Sequence, residues 1–395
     1  MTSTSLPLSS VRLVQLAAQG LLRPPDSPAT KADVLNAIRR MGALQIDTIH
    51  VVARSPYLAL FSRLGSYAPV WLDELLAEGA LFEYWSHAAC FLPIEDYALY
   101  AGRMADSARR FFEEDYEARH TEAVARVMQA LREDGAVRSA DFERTDGQKG
   151  GWWNWKEEKH VLEYLHTSGQ VMIARREKFQ RVYDLRERVL PGWKDAQALS
   201  REEAYRALAL KAVRCLGIAL PRWVPDYFRL SKRDVAARLQ AFAQAGLLLP
   251  VQVEGWDGPA YLHPDNLPLL EAAQAGELEA TLTTLLSPFD PLTWHRERAS
   301  TLFGFDFTLE CYLPAEKRQY GYFSLPILHR GRLIGRIDPK AHRKEGIFEV
   351  RSIHWEPGIE PDSEMAAEVR AAIQRCADWH GTPEVKFSTP LPALD

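Results

Sequence analysis

The stretch KEEKHVLEYLHTSGQVMIARREKFQRVYDL, residues 156–185, decides the fold class that the sequence predicts. Apolar residues at helical spacing predict a helix over about 156–166, and Gly169 follows it. A short apolar strand is predicted at 171–174, followed by a basic turn and a second strand. Helix, strand, turn and strand in this order are typical of a winged helix, a DNA-binding relative of the helix-turn-helix.

The same succession occurs again downstream. Helices predicted over 202–216 and 231–245 precede two strand patterns, LLLPVQV and PAYLHP. We therefore expect two winged helices in tandem. Upstream, one helix is predicted to follow Ser9 and Ser10 and to end near Gly20, and a second is predicted between Thr30 and Gly42.

The C-terminal part of the chain has the pattern of a sheet. Apolar and polar residues alternate over 305–312, as in a strand with one buried face. Further strands are predicted in YGYFSLPIL, LIGRID and FEVRSIHW, and a last helix over about 363–379. A small antiparallel β-barrel or sheet is the expected packing.

The predicted fold class is α+β, with mostly helical tandem winged-helix motifs followed by a small antiparallel β-barrel or sheet. We expect a helical or winged-helix domain at 1–135, a tandem winged-helix DNA-binding region at 136–280, and a β-barrel with a closing helix at 281–395. A chain of 395 residues that is 47% hydrophobic and 26% charged suits a soluble protein of two or three such domains.

Several protein classes have no support in the sequence. It contains no run of about 18 apolar residues, and MTSTSLPLSS lacks the basic and then apolar order of a secretory signal, so we expect a cytoplasmic protein without a membrane span. No CxxC pair or clustered His and carboxylate ligands are present, so neither a metal nor another cofactor is expected. Motifs for nucleotide hydrolysis, dinucleotide binding, zinc proteolysis and serine hydrolysis are also missing.

The net charge and the local charge of the chain give opposite predictions about nucleic-acid binding. The net charge of −5 argues against phosphate binding, but the segment HRGRLIGRIDPKAHRK at 329–344 holds six basic residues against one acidic residue. Residues 149–188 carry a weaker excess, nine against six. Such runs are often solvated faces, and charges on a wing can equally discourage strand pairing. The candidate DNA contacts in these segments are Lys149, Lys156, Arg175, Arg176, Lys178, Arg181, Arg336 and Lys340.

One pair of side chains could carry chemistry. In the extended pattern LQIDTIHVV, Gln45 and Asp47 are expected to share a face, where an amide and a carboxylate can hold a water molecule between them. The alternative is that Asp47 caps the following turn and Gln45 is a surface residue.

Other residues near this pair have two interpretations each. Arg54 and Arg63 could bind phosphates or form structural ion pairs, and His87 could line the site or be a hydrogen-bonded core residue. Trp152, Trp153 and Trp155 could stack on bases or pack into a core.

Seven blocks, in order along the chain, resemble the YcaQ type of crosslink-repair DNA glycosylase, a winged-helix family related to AlkZ. They are LQIDTIHVVARSPYLALFSRLGSY, LFEYWSHAACFLP, GGWWNWK, FQRVYDLRERVLP, LSPFDP, ECYLPAEKRQYGYFSLPILHRG and GRIDPKAHR. The family pattern is Gln, an apolar residue and Asp, which matches Gln45 and Asp47, whereas the AlkZ type has a second Gln where this chain has Asp47.

The resemblance implies tandem winged-helix motifs and a β-barrel around a concave DNA-binding channel. It implies that Gln45 and Asp47 catalyse hydrolysis of the N-glycosidic bond of N7-alkylguanine, including the unhooking of interstrand crosslinks. The implied partner is double-stranded DNA that carries alkylated guanine or crosslinks, bound by a monomer without a cofactor. The alternative hypothesis is a non-catalytic winged-helix regulator or damage sensor; a nuclease would need clustered carboxylates for metal, which the sequence lacks.

Overall fold

The computed structural model describes residues 5–113, 115–142 and 156–388. Two compact units make up the chain: the first consists of residues 1–69, 86–88 and 209–395, and the second of residues 70–85 and 89–208. These units do not coincide with the consecutive ranges 1–135, 136–280 and 281–395 expected above. The candidates Lys149, Trp152, Trp153 and Trp155 lie outside the described residues.

Helices and strands both contribute, so the α+β class is confirmed. The α-helices in the described ranges are α1 Leu8–Gln19, α2 Lys31–Met41, α3 Ser55–Leu64, α4 Val70–Ala77, α5 Tyr97–Phe111, α6 Tyr116–Arg119, α7 Thr121–Glu133, α8 Glu157–Thr167, α9 Arg186–Val189, α10 Arg201–Leu216, α11 Val224–Tyr227, α12 Val235–Gln244, α13 Leu267–Gln274, α14 Arg296–Phe303 and α15 Ser363–His380. Within those ranges, no helix combines the length and apolar character needed to cross a bilayer.

The strands found in the same ranges are short except for two in the C-terminal sheet. They are β1 Leu44–Gln45, β2 Leu81–Trp85, β3 Ala89–Pro93, β4 Val171–Glu177, β5 Gln180–Leu185, β6 Ile218–Ala219, β7 Leu249–Val251, β8 Ala260–Leu262, β9 Thr283–Leu285, β10 Leu325–His329, β11 Arg332–His342, β12 Ile347–Trp355 and β13 Glu384–Phe387.

The first unit joins the N-terminal helices to the C-terminal sheet. Leu16 and Leu21, from α1 and the turn after it, lie in one buried cluster with Leu286, Phe305 and Leu328. Each fully buried leucine contributes about 2 kcal/mol through the hydrophobic effect. Because this core draws on both ends of the sequence, the first unit cannot be a consecutive range.

Helix ends in this unit follow their capping residues. Thr30 starts α2 with a capping box: its hydroxyl accepts the Asp33 N–H, and the Asp33 carboxylate accepts the Thr30 N–H. Gly20 ends α1 and Gly42 ends α2, both in the left-handed region. The predicted ends at Thr30, Gly20 and Gly42 are therefore confirmed.

The C-terminal sheet has the strand order β13-β12-β11-β10-β9. Its pairs are antiparallel except for β12 and β13, which run parallel. The two edge strands, β9 and β13, do not pair with each other, so the strands form a sheet and not a closed barrel. The expected antiparallel pairing is correct for β9 to β12 and wrong for β13. A parallel neighbour requires a crossover connection, and α15 supplies it.

Residues 305–312 are not a strand, contrary to the prediction. Phe305 and Phe307 are buried and Asp306 and Thr308 are exposed, so the alternation holds over 305–308, but it breaks at Glu310, which is buried. Instead of a ladder partner, the Asp306 carbonyl accepts a hydrogen bond from Arg336 Nη2 at 3.0 Å. Alternation of buried and exposed residues therefore indicates an extended chain that lies over a core, and in this segment the chain does not pair with a strand.

The second unit contains the helix, strand, turn and strand predicted from residues 156–185, as α8, β4 and β5. The two strands pair antiparallel, and Lys178 and Phe179 turn between them with φ of 50° and 69°. Downstream, in the first unit, β7 and β8 pair antiparallel after α12.

Candidate active site

The segment that carries Gln45 and Asp47 follows α2 and is held by distant parts of the first unit. The Val51 carbonyl accepts the Ala341 N–H from β11 at 3.1 Å, and the Val52 carbonyl accepts His380 Nε2 from the end of α15 at 3.1 Å. The Arg343 guanidinium donates to the carbonyls of both His50 and Val52. Backbone polar groups that would otherwise be unpaired thus fix the course of this loop.

Asp47 lies in a turn rather than in a continuous strand. Its Oδ1 accepts the Ile49 N–H at 2.8 Å, two residues on, as in an Asx turn. The alternative in which Asp47 caps the following turn is therefore part of the arrangement. Burial raises the pKa of Asp47 above its ordinary value, although the Ile49 N–H stabilises the charged form. A partly buried carboxylate of this kind is a better proton acceptor than an exposed one.

Gln45 contacts His87 directly. Gln45 Oε1 lies 2.9 Å from His87 Nε2. The His87 ring packs on Trp294, with 3.9 Å between the ring centroids, and Trp294 in turn lies 5.2 Å from the Tyr227 ring. Burial lowers the pKa of His87 to about 4 although Asp226 opposes the shift, so the ring is neutral at pH 7.

The Tyr227 ring is tied to the helix that leads into the segment. Its hydroxyl donates to the Met41 carbonyl at 2.7 Å and accepts from Gln19 Nε2 at 3.1 Å. Met41 is the last residue of α2, so this bond anchors Tyr227 to the helix that precedes Gln45. His87, Trp294 and Tyr227, each in contact with the next, form a wall of rings behind Gln45. Trp294 and Tyr227 carry no sequence pattern that distinguishes them from ordinary core aromatics, so neither could be singled out from the sequence.

A second neighbour of Asp47 is the loop after Phe307. The Asp47 charge contributes to raising the pKa of Cys311 and of Tyr312, after burial in both cases. The Tyr312 ring is 81% exposed. An exposed aromatic side chain therefore lies near the carboxylate, a position that strand alternation did not reveal.

Arg63 is buried in an ion pair. Its guanidinium binds Asp290 through two bonds of 2.6 and 3.1 Å, with side chains 2% and 0% exposed. Its Nε also donates to the Gln19 carbonyl at 2.8 Å. Of the two interpretations for Arg63, the structural ion pair describes this geometry. Arg54 is partly buried and lies near His50.

Arg176 and Arg181 are likewise drawn inward, within the second unit. Both bind the Glu83 carboxylate, at 2.7 and 2.5 Å, and Glu83 is 0% exposed. Arg181 also binds Glu163 at 2.8 Å. A glutamate inside the otherwise apolar strand pattern LFEYW was the available signal of a buried ion pair, and the sequence analysis missed it.

Arg336, another predicted DNA contact, is 1% exposed. Its guanidinium pairs with Glu356 and lies over the rings of Phe305 and Tyr320, 4.5 and 4.2 Å from their centroids. At 1% exposure the Arg336 guanidinium has its ionic partner inside the protein, a role that suits the planar, always charged side chain of arginine.

The remaining basic candidates reach solvent to different degrees. Arg175 and Lys178 are exposed on the β4–β5 hairpin, although Arg175 also pairs with Glu177 at 2.8 Å. Lys340 is partly exposed on β11. Lys156 Nζ donates to the carbonyls of Ser139 and Phe142, which anchors it at the start of α8.

Two arginines, Arg54 and Arg343, lie beside His50 on the loop that follows Gln45 and Asp47. Burial and the charges of Arg343, Arg54 and His380 together lower the pKa of His50 to about 4. Arg343 and His50 are exposed. Two guanidinium groups whose charges help to keep a neighbouring imidazole neutral are a favourable place for an anion such as a phosphate group. Among the described residues, no cluster of His, Cys, Asp and Glu could hold a metal ion.

Comparison with known proteins bears on the identity of this site. The structure is similar to that of the Streptomyces sahachiroi DNA glycosylase AlkZ, with a TM-score of 0.63 and 16% sequence identity over 97% of this chain and 100% of that one. At that identity the likeness shows the fold alone. The sequence profile of the AlkZ-like DNA glycosylases matches residues 38–379, which include Gln45, Asp47 and the wall behind them. The chain therefore belongs to the AlkZ-like DNA glycosylase family.

Proposed function

We propose that the protein hydrolyses the N-glycosidic bond of guanine alkylated at N7, including the guanines of interstrand crosslinks, without cutting the DNA strand. The observation that carries this proposal is a partly buried Asp47 two residues after Gln45, on one loop that β11 and α15 hold in place. Rigid support of this kind is what positions catalytic groups accurately enough to direct a water molecule.

Alkylation at N7 gives the base a positive charge, so that it leaves as a neutral molecule and needs little help from a general acid. The bond between C1′ and the base nitrogen breaks and its electron pair goes to the base. The water oxygen bonds to C1′ and its proton passes to Asp47, whose negative charge also stabilises the cationic sugar. Burial strengthens that attraction because charges interact more strongly where water is excluded.

Leaving-group charge, more than base shape, then determines the substrate. A crosslinked base is tied to the opposite strand, which makes complete flipping into a closed pocket difficult. We therefore expect an open site that accepts different N7 substituents and rejects neutral lesions. Efficient excision of uracil would contradict this proposal.

DNA binding is proposed to rest on two surfaces. One lies beside the catalytic loop, where Arg54 and Arg343 carry the positive charge and the neutral rings of His50 and His380 lie next to them. The other is the β4–β5 hairpin with Arg175 and Lys178, which we propose as the wing of a winged helix that starts with α8. A second winged helix is proposed from α12, β7 and β8. Action on chromosomal DNA, by a monomer in the cytoplasm, fits these proposals.

The test is base excision from duplex oligonucleotides that carry a single 7-methylguanine or a nitrogen-mustard crosslink, followed by alkaline cleavage of abasic sites. Wild type should give strand breaks only after alkali. Asp47→Asn should lose about two orders of magnitude or more in rate while binding DNA as before, because phosphate contacts dominate affinity.

Asp306→Asn, an exposed aspartate in the same unit, is the matched control and should be fully active. Tight binding without any abasic product would favour the non-catalytic alternative. Equal activity of Asp47→Asn and wild type would remove Asp47 from the mechanism.

A further inference from the structure

His87 and Gln45 share a hydrogen bond, and the atom that carries its proton decides what Gln45 can do. We infer that His87 is a positioning residue: the Gln45 amide makes half a turn from the orientation in which its Oε1 faces Nε2, so that Nε2 accepts a hydrogen bond from the NH2 group and the carbonyl oxygen points toward the attacking water of the proposed mechanism. This inference rests on the proposed function of Gln45 and Asp47, and it adds the residue that sets the direction of the amide.

The geometry fixes the imidazole on three sides. Nε2 lies 2.9 Å from the Gln45 side-chain amide, whose Oε1 end faces the ring in this structure; the ring face lies on Trp294, and the ring also bonds the backbone of Tyr227. Since the Tyr227 backbone group favours the protonated ring, it is an acceptor, namely the carbonyl. Nε2 faces Gln45, so Nδ1 is the nitrogen that donates to Tyr227.

A neutral imidazole has a single N–H. The pKa of His87 is lowered to about 4, mainly by burial, while the nearby charges of Asp226, Arg229 and Arg298 act in opposite directions. At pH 7 the proton on Nδ1 therefore leaves Nε2 with a lone pair. A carbonyl oxygen opposite that lone pair would be repelled, whereas the amide NH2 is attracted.

The two ends of a primary amide have nearly the same shape, so half a turn about the last side-chain bond exchanges them without moving other atoms. With its NH2 on His87, Gln45 points its carbonyl oxygen away from the ring. A water molecule then meets two acceptors, the Gln45 oxygen and the Asp47 carboxylate, which take its two hydrogens. Its lone pair stays available for C1′.

The opposite orientation would weaken the nucleophile. An NH2 group directed at the water would bind the lone pair that attacks the sugar. His87 thus contributes to the chemistry through Gln45, without contact with the substrate. Residues that hydrogen-bond to metal ligands have a comparable role in metalloenzymes, and their loss lowers metal affinity or activity about 10- to 100-fold.

Three variants test the inference in single-turnover excision of 7-methylguanine. His87→Phe keeps a ring against Trp294 but removes the acceptor, and it should lower the rate about 10- to 100-fold with an unchanged Kd for DNA. His87→Gln places an amide oxygen near the position of Nε2 and should restore the rate to within a few-fold of wild type. His263→Phe, a histidine whose ring accepts the Asp265 N–H in the same unit, should behave as wild type.

A wild-type rate in His87→Phe would overturn the inference, as would a loss that His87→Gln shares in full while both variants keep the thermal stability of wild type. The tautomer gives a test that needs no substrate. Long-range proton–nitrogen NMR spectra of the histidine side chains at pH 7 should show His87 protonated on Nδ1, and protonation on Nε2 would overturn the inference. Failure of wild type to excise any cationic lesion would instead remove the proposed function, whatever the tautomer.

Discussion

Replacing Glu83 with glutamine removes the carboxylate that Arg176 and Arg181 share. Glu83 is 0% exposed, and the two arginine side chains are 5% and 19% exposed. Removing one member of a buried ion pair destabilises proteins by about 3–5 kcal/mol, because a buried charge is left uncompensated. Arg181 keeps Glu163 as a partner, so we expect the lower end, about 3 kcal/mol.

The loss should appear in the second unit, where these residues lie. About 3 kcal/mol corresponds to a more than 100-fold increase in the opening of β4 and β5. Hydrogen exchange measured by mass spectrometry on peptides that cover both strands reports this opening. Glu187→Gln, an exposed glutamate in the same unit, is the matched control and should exchange as wild type. Unchanged exchange in Glu83→Gln would refute the structural role of Arg176 and Arg181 and return them to the candidate DNA contacts.

Acid should weaken the same network. The balance of burial, which raises the pKa of Glu83, and the charges of Arg181 and Arg176, which lower it, leaves the pKa below its ordinary value. A carboxylate with a lowered folded pKa contributes stability that is present above its pKa in the unfolded chain and is lost as the pH falls through the folded value. The protection of β4 and β5 in wild type, corrected for the intrinsic exchange rate at each pH, should therefore fall below about pH 4.5, and Glu83→Gln should lack that pH dependence.

Three further predictions concern the first unit and the hairpin. Asp290→Asn leaves Arg63 buried without its carboxylate and should cost about 3–5 kcal/mol in urea unfolding, where an unchanged midpoint would contradict the ion-pair role. Gly42→Ala places a Cβ at φ 73°, 3.0 Å from the Phe228 ring and from Cys215 Sγ, and should cost at least about 1 kcal/mol in the same assay. Lys178→Ala should reduce the slope of log K for DNA against log salt by about one, and an equal slope would exclude a phosphate contact.

Local signals in the sequence were sufficient to place most elements. Thr30 and Gly42 delimit α2 because capping is a contact between residues three or four apart. The hairpin of β4 and β5 could also be predicted, from a short apolar run and a basic turn, because its two strands are neighbours in the sequence. The pattern over 305–312 predicted burial correctly from Phe305 to Thr308 and wrongly at Glu310, which is buried, and it predicted pairing wrongly. Alternation records which side chains face a core and not what the backbone bonds to.

Charge counting could not separate arginines that face solvent from arginines that face a partner. Arg176 meets a carboxylate 93 positions earlier in the chain, and Arg63 meets one 227 positions later. Lys178 lies between Arg176 and Arg181 in the sequence, and its side chain is exposed at the turn of the hairpin. Neighbours in one basic run thus have different roles, which only the fold assigns.

The proposed catalytic pair shows the same division between local and distant information. Gln45 and Asp47 could be picked out as a pair because the residues stand two apart on one loop, but the direction of the amide depends on His87, and the position of His87 depends on Trp294 and Tyr227. Tyr227 is in turn bonded to Met41, the last residue of the helix that leads into the pair. The loop of Gln45 and Asp47 and the rings of His87, Trp294 and Tyr227 therefore stabilise each other through contacts between residues far apart in the sequence. If the inferred tautomer is correct, a glutamine at position 45 is useful only together with an acceptor at position 87, and a chain that changes one of them should need to change the other to keep a water molecule aimed at the sugar.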